Sequence, residues 1–291
     1  MEGASGVARH YDGQARRGCR GSTGQALAAR RQGVLIRYKR FANSVKHQLI
    51  STHARDATCL VDLGCGRGGD LGKWRAANVR RVVAIDLSAG QLAEGRARGR
   101  AGGRRERTQV VWRQHDVLHP ALAALVAPDL GCTRAADAVS AMFSLQFAFA
   151  DERAASGLLS QVSAMLRPGG IFFGTAPDAA AILDLLGGDQ AITLQPPDVP
   201  FVLRIARTPS PSGLAFSLED TVTEGSDSIQ GGHEHLVWRE TLVRLAARVG
   251  LRPIALESML REGRATHPPA LSEAEARIAK LYFCFAFRKE G

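Results

Sequence analysis

Hydrophobic positions along the chain follow two rhythms. The run VLIRYKRFANSVKHQLI places apolar residues at 34, 35, 38, 41, 45, 49 and 50, with Arg37, Lys39, Arg40 and Lys46 on other faces, which predicts an amphipathic helix. Short apolar runs then predict strands: CLVDLG from Cys59, RRVVAIDLS from Arg80, TQVVWRQHD from Thr108, DAVSAMFSLQF from Asp137 and GGIFFGTAP from Gly169. Helical stretches separate them: GGDLGKWRAAN, residues 89–98, and ERAASGLLSQVSAMLRP, which Pro168 is expected to end. The Gly- and Arg-rich segment at 13–33 reads as loop or disorder, and the Arg-rich patch at 96–107 as a solvated loop. Beyond about residue 178 come a short helix, the strand-like runs FVLRIAR and LAFSLED, a capped helix near 239–249 and a last strand, LYFCFAF. Strands alternating with helices argue an α/β fold with a doubly wound, mostly parallel sheet.

Length and charge refine this outline. A chain of 291 residues, 45% apolar and 23% charged, fits one large α/β domain with a smaller addition. The expected division is a basic, partly disordered arm at 1–33, followed by a single domain at 34–291 whose α+β elaboration occupies about 178–291. The net charge of +10 is concentrated: residues 1–58 hold eleven Lys or Arg against Glu2, Asp12 and Asp56. Such an arm points to a polyanionic partner. Five cysteines, at 19, 59, 65, 132 and 284, form no C-x-x-C pair and suggest neither a disulfide framework nor zinc. No apolar h-region follows Met1 and no window nears eighteen apolar residues, so neither a signal peptide nor a membrane span is expected. A reducing compartment is the expectation.

The stretch LVDLGCGRGGDLGKW carries the candidate chemistry. Gly64, Gly66 and Gly69 match the G-x-G-x-x-G spacing of nucleotide-binding loops, a weak signal alone. Asp62 inside the strand end and Asp70 in the loop would repel a pyrophosphate but could accept from the ammonium of an amino-acid moiety, which S-adenosylmethionine has. Asp86, ending the second strand, suits the ribose hydroxyls, and Asp116, after the third, could accept from an adenine amino group. The alternative is that these acids only cap helices or turns. Together with LRPGGIFFGTAP, these features resemble the class I, Rossmann-like S-adenosylmethionine-dependent methyltransferases.

Longer stretches sharpen the likeness. DLGCGRGGDLGKW, VARHYD, RYKRFANSVK, PGGIFFGTAPD, EHLVW and LYFCFAFRK resemble, with gaps from about residue 7 to residue 289, the eukaryotic and viral mRNA cap guanine-N7 methyltransferases. The resemblance implies that Lys46 meets the methionine carboxylate, Gly64 and Gly66 form the close loop, Asp86 holds the ribose and Asp116 lies near the adenine, with Asp62, Met142 and Phe147 also at the cofactor. It implies that Asn43, Arg67, Lys73 and Arg98 approach the cap, the three cations at its phosphates. It further implies that Glu234 accepts from the guanine edge and that Tyr282 closes the pocket, with Phe143 and Gln146 against the base. S-adenosyl-L-homocysteine would be the product, no metal is called for, and the partner would be 5'-capped RNA. A monomeric catalytic unit, an activating subunit or other capping enzymes, and a nuclear location are the associated expectations.

Guanine N7 has a free lone pair, so no residue need remove a proton; Glu234, Tyr282 and Gln146 would position the base and stabilise charge. The sequence departs from the family's usual Gln-Phe-x-x-His-Tyr, having Met142, Phe143, Gln146 and Phe147. Phe143 and Phe147 keep flat faces for stacking, and Gln146 can donate a hydrogen bond but cannot carry a positive charge. Alternatively Met142, Phe143 and Phe147 are core of the fourth strand. His233 and His235 around Glu234 could suggest a metal but lack further ligands, and Cys65 reads as packing rather than a nucleophile. A methyltransferase of another RNA position or a small molecule, and a cap-binding module without activity, remain the competing readings.

Overall fold

A computed structural model describes residues 35–100, 107–131, 134–195, 201–210, 212–220, 229–264 and 270–291. The expected arm at 1–33 lies outside these residues, as does most of the Arg-rich patch beyond Arg100. Helix α1 (Ile36–His53) comes first, and its stripe Tyr38, Phe41, Val45, Leu49 and Ile50 is buried, as its spacing predicts. There follow β1 (Cys59–Leu63), α2 (Leu71–Ala76), β2 (Arg81–Asp86), α3 (Ala89–Arg100), β3 (Gln109–Gln114), α4 (Leu122–Val126) and β4 (Ala136–Met142). Next come α5 (Glu152–Met165), β5 (Leu166–Pro177), α6 (Ala179–Leu186), β6 (Ala191–Leu194), β7 (Phe201–Arg207), β8 (Gly213–Asp220) and β9 (Ile229–His235). The chain ends with α7 (Arg239–Ala247), β10 (Leu251–Ser258), α8 (Met259–Arg264), α9 (Glu273–Lys280) and β11 (Tyr282–Lys289).

Seven strands form one sheet in the order β10-β11-β5-β4-β1-β2-β3. β1 is central and buried along its whole length, pairing in parallel with β2 and β4, which explains its unbroken apolar run. β5 pairs in parallel with β4, whereas β11 is antiparallel to both β5 and β10. Period-two alternation assigns β11 to two cores at once: Phe283, Phe285 and Phe287 enter the core beneath α5 and α7, while Tyr282, Cys284 and Ala286 face the core beneath α1. Four antiparallel strands, β6-β7-β8-β9, make a second sheet whose Leu203, Ile205, Leu214, Phe216 and Leu218 pack into that α1-side core. Asp178 joins the sheets: it bridges to Val237, caps α6 through Ala180 N–H and pairs with Arg239 at 2.6 Å.

Several boundaries differ from the sequence reading. The fourth strand stops at Met142 rather than reaching Phe147, because Phe143 adopts φ +57° and residues 145–148 close a 3-10 turn. α5 ends at Met165, and Pro168 lies within β5 at its irregular junction with β4 instead of ending the helix. Residues 96–100, expected as loop, extend α3. α7 spans 239–247 without a side-chain cap at Trp238. β6, β9, β10, α8 and α9 complete the elaboration; β10 carries Pro253 at a sheet edge, and β9 contains two glycines, compositions that hide a strand. No helix among the described residues is long and apolar enough to cross a membrane.

Candidate functional site

The C-terminal ends of β1, β2 and β4 converge on the glycine loop, where parallel sheets of this kind bind ligands. Gly64 has φ +74°, and a Cβ there would fall 2.6 Å from the Ser144 Cβ, so only glycine lets the loop pass this close to the turn after β4. Ser144 Oγ in turn donates to the Leu63 carbonyl at 2.6 Å. Asp86 fastens the loop from the next strand: its Oδ2 accepts from Gly66 N–H at 2.8 Å and its Oδ1 from Ser88 N–H at 2.9 Å. Asp116 Oδ1 accepts from Leu118 N–H at 2.9 Å, the turn-capping role weighed for it from the sequence.

Two acids with opposite behaviour flank the loop. Asp62 is buried, and that burial together with the charge of Asp70 pushes its carboxyl up to about 7, although the Ser140 hydroxyl donates to it and Lys46 opposes the rise. Asp70 is also buried, which disfavours its charge, yet Lys46 at 3.1 Å and Lys73 at 2.8 Å hold its carboxyl below the ordinary value. A cationic group arriving beside Asp62 would supply the counter-charge that Lys46, committed to Asp70, gives only weakly. This donor set fits an amino-acid moiety: an acid lacking a full partner for its ammonium, and a lysine for its carboxylate.

A second cluster sits beyond β4. The left-handed backbone at Phe143 is held by its N–H, which donates to Thr175 Oγ1 at 3.0 Å and to the Thr175 carbonyl at 3.2 Å. The Phe143 ring meets Tyr282 edge-on at 5.3 Å and lies 5.7 Å from Lys46 Nζ. Phe216 reaches Tyr282 from β8 at 6.1 Å, also edge-on. Gln146 is buried, and its Nε2 donates to the Phe143 carbonyl at 2.9 Å. Glu234, on β9 and 7% exposed, lies beside it. Burial pushes the Glu234 carboxyl up to about 7, and a side-chain hydrogen bond from Gln146 opposes this. Burial, then the nearby charge of Glu234, also pushes up the Tyr38 phenol. Met142 is a buried core residue, while Phe147 is half-buried at the turn.

The basic residues named from the sequence are neither free nor simply solvated. Lys73 Nζ donates to Asn43 Oδ1 at 2.8 Å and to the Gly69 carbonyl at 3.1 Å besides pairing with Asp70. Arg67 donates to Gln91 Oε1 at 3.0 Å and pairs with Glu94 at 3.4 Å, and Arg98 pairs with the same Glu94. Cys65 is buried, which, with Asp62 and Asp86 nearby, pushes its thiol up and away from reactivity. His235 Nδ1 contacts Ser212 Oγ at 3.1 Å, and the His233 side chain lies outside the described residues. No group of three or more His, Cys, Asp or Glu suited to a metal ion occurs among the described residues. Tyr38, Ser144, Thr175 and Phe216 are site neighbours the sequence did not single out. Tyr38 is one position in an apolar helical stripe, and nothing local distinguishes it from core.

Known proteins are similar to this chain in sequence and in fold. Residues 2–198 match the mRNA (guanine-N(7))-methyltransferase domain family, and Glu234 and Tyr282 lie beyond that match. The mRNA cap guanine-N(7) methyltransferase of Saccharomyces cerevisiae is 36% identical over 155 residues, 53% of this chain and 35% of the yeast protein. The mRNA cap guanine-N(7) methyltransferase 1 of Arabidopsis thaliana is 29% identical over 98% of this chain and 81% of its own length. Among solved structures, an S-adenosylmethionine-dependent methyltransferase from Clostridium acetobutylicum superposes with a TM-score of 0.55 at 14% identity, covering 87% of this chain and 92% of its own. The CcbJ methyltransferase from Streptomyces caelestis gives 0.56 at 16% identity, over 87% and 90%. At such identities the structural likeness establishes the Rossmann-like fold alone.

Proposed function

We propose, from the premise that the chain belongs to the mRNA (guanine-N(7))-methyltransferase family, that it transfers the methyl group of S-adenosylmethionine to N7 of the terminal guanosine of GpppN-capped RNA. The observation that carries this reading is the cluster of Glu234, Gln146, Phe143 and Tyr282 beside Lys46 and the glycine loop. It combines buried acceptors with aromatic edges, the chemistry a purine needs.

S-adenosylmethionine supplies a methyl group already activated by its sulfonium charge. Asp62 and Lys46 would hold the amino-acid end, Asp86 the ribose, and Gly64 and Gly66 the close approach of the loop. Asp116 would cap the adenine end, with Met142 and Phe147 bounding the cofactor side. Because N7 carries a free lone pair, these residues need only bring donor and acceptor into line at near-attack distance. Glu234, when ionised, stabilises the positive charge that spreads over the purine during transfer. Phe143 and Tyr282 exclude water and limit the tilt of the base. Asn43, Arg67, Lys73 and Arg98 would face the triphosphate bridge.

The eukaryotic sources of the yeast and Arabidopsis relatives support a nuclear setting, and their names support action on capped RNA. The match to the yeast relative spans 35% of that protein's length. The test uses radiolabelled S-adenosylmethionine with RNA ending in GpppG beside the same RNA ending in ApppG. N7-methylguanosine released by nuclease from the first alone is expected. Bound cofactor with neither RNA labelled would refute this substrate.

A further inference from the structure

Two buried acceptor atoms in the second cluster have no hydrogen-bond partner among the described residues: Gln146 Oε1 and Glu234 Oε2. Buried acceptors are nearly always satisfied, because an unpaired one forfeits its hydrogen bonds to water, so a neighbouring pair is an unusual feature. The orientation of the Gln146 amide follows from its surroundings. Its nitrogen donates to the Phe143 carbonyl and to the Glu234 carboxyl; turning the amide over would set its oxygen against two acceptors. Gln146 therefore spends its donors inside the protein and leaves its buried oxygen without a partner among the described residues, the reverse of the donor role suggested by its sequence position. A histidine there could not offer both a donor and an acceptor once protonated, whereas glutamine always does.

Resting on the proposed cap reading, we infer that Gln146 Oε1 and Glu234 Oε2 form a paired acceptor for two N–H groups on one purine edge, making Gln146 a specificity-determining residue for the exocyclic 2-amino group. Guanine presents N1–H and N2–H side by side. Adenine presents a bare nitrogen at N1, which would face an acceptor. Hypoxanthine keeps N1–H and N7 but lacks the amine, and so would leave one of the two acceptors unpaired.

The test compares RNA ending in a guanosine cap with the same RNA ending in an inosine cap, which differs only in that amine. The parent protein should prefer guanosine in kcat/KM. Gln146→Met keeps the bulk of the side chain and removes both polar atoms. It should lower kcat/KM for the guanosine cap far more than for the inosine cap, so that the ratio falls about tenfold or more. Loss of rate on both caps in equal proportion would show that Gln146 only supports Phe143, and would overturn the inference. Affinity of the variant for S-adenosylhomocysteine, measured by calorimetry, should stay within about twofold of the parent. Should the variant fail to fold, equilibrium binding of GpppG and IpppG to the parent decides: no preference for GpppG overturns the inference. Absence of methylation on every cap, with GpppG still preferred in binding, would instead strike the proposed reaction and leave the paired acceptor standing.

Discussion

Replacing Glu234 by glutamine preserves the shape of the side chain, removes its ionisation, and should move stability and turnover in opposite directions. Burial raises the carboxyl from an ordinary 4.5 to about 7. A carboxyl that binds its proton more tightly in the folded state than in the unfolded one stabilises the fold while protonated. That contribution is complete below the unfolded value and is lost as pH rises through about 7. At about 1.4 kcal/mol for each pH unit, the whole loss is roughly 3 kcal/mol. Less than about 1 kcal/mol of it has occurred by pH 5, and nearly all of it by pH 8.

Glu234→Gln never ionises, so the difference in unfolding free energy between variant and parent should shift in the variant's favour by about 2–3 kcal/mol from pH 5 to pH 8. Urea unfolding of the ligand-free protein at each pH measures it. Asp62, raised to about 7 by burial and by Asp70, titrates in both proteins and cancels from the difference. Turnover moves the other way. The parent should gain activity as pH rises through about 7, where Glu234 acquires the charge that opposes the developing cation. The variant should lose about 100-fold in kcat/KM at pH 8, with affinity for S-adenosylhomocysteine nearly unchanged. A stability difference that stays flat between pH 5 and pH 8 would refute the account, because it would mean that Glu234 is not desolvated in the folded protein.

Other substitutions probe the loop. Asp86→Ala removes the acceptor for Gly66 and Ser88 together with the candidate ribose partner, and calorimetry should show cofactor binding lost; unchanged affinity would take Asp86 out of the site. Gly64→Ala meets both a left-handed backbone and the Ser144 Cβ at 2.6 Å, so it should cost about 2–4 kcal/mol in urea unfolding. Lys46→Met leaves buried Asp70 with Lys73 alone; a loss of about 1–3 kcal/mol at pH 7 that shrinks on acidification is expected, and a loss independent of pH would argue against the ion pair.

Where the candidate site could be read in advance, it lay in local pattern. The glycine loop, Asp62 and Asp86 stand at the ends of strands that short apolar runs locate, and the parity of β11 places Tyr282 on the α1 side. The turn at Phe143 was hidden for a physical reason. DAVSAMFSLQF is mostly apolar, with no glycine or proline to mark a turn, and reads as one strand, but Thr175 captures the Phe143 N–H from the neighbouring strand and the chain turns out of the sheet. Gln146 and Tyr38 become neighbours of Glu234 only because a separate sheet delivers it, and no periodicity in the chain reports that encounter.

The candidate phosphate-facing cations illustrate the same limit and add a consequence. Charge and position were legible in Arg67, Lys73 and Arg98, but their partners were not. Arg67 and Arg98 share Glu94, and Lys46 and Lys73 share Asp70, so each trio combines two cations with one anion and keeps one net positive charge. A long side chain waving in solvent must be ordered when an anion arrives, at about 0.5–1.5 kcal/mol for each such chain. In the Glu94 trio the shared acid has already ordered Arg67 and Arg98, so a polyphosphate arriving there would meet an attractive field with much of that cost met during folding. The same acid tempers the field, which favours discrimination among anions over indiscriminate attraction. A single trio broken at its acid, as in Glu94→Gln, should therefore strengthen binding to RNA that has no cap more than binding to capped RNA. Filter binding at matched ionic strength measures both, and equal strengthening of the two would show that the trio supplies charge without selectivity.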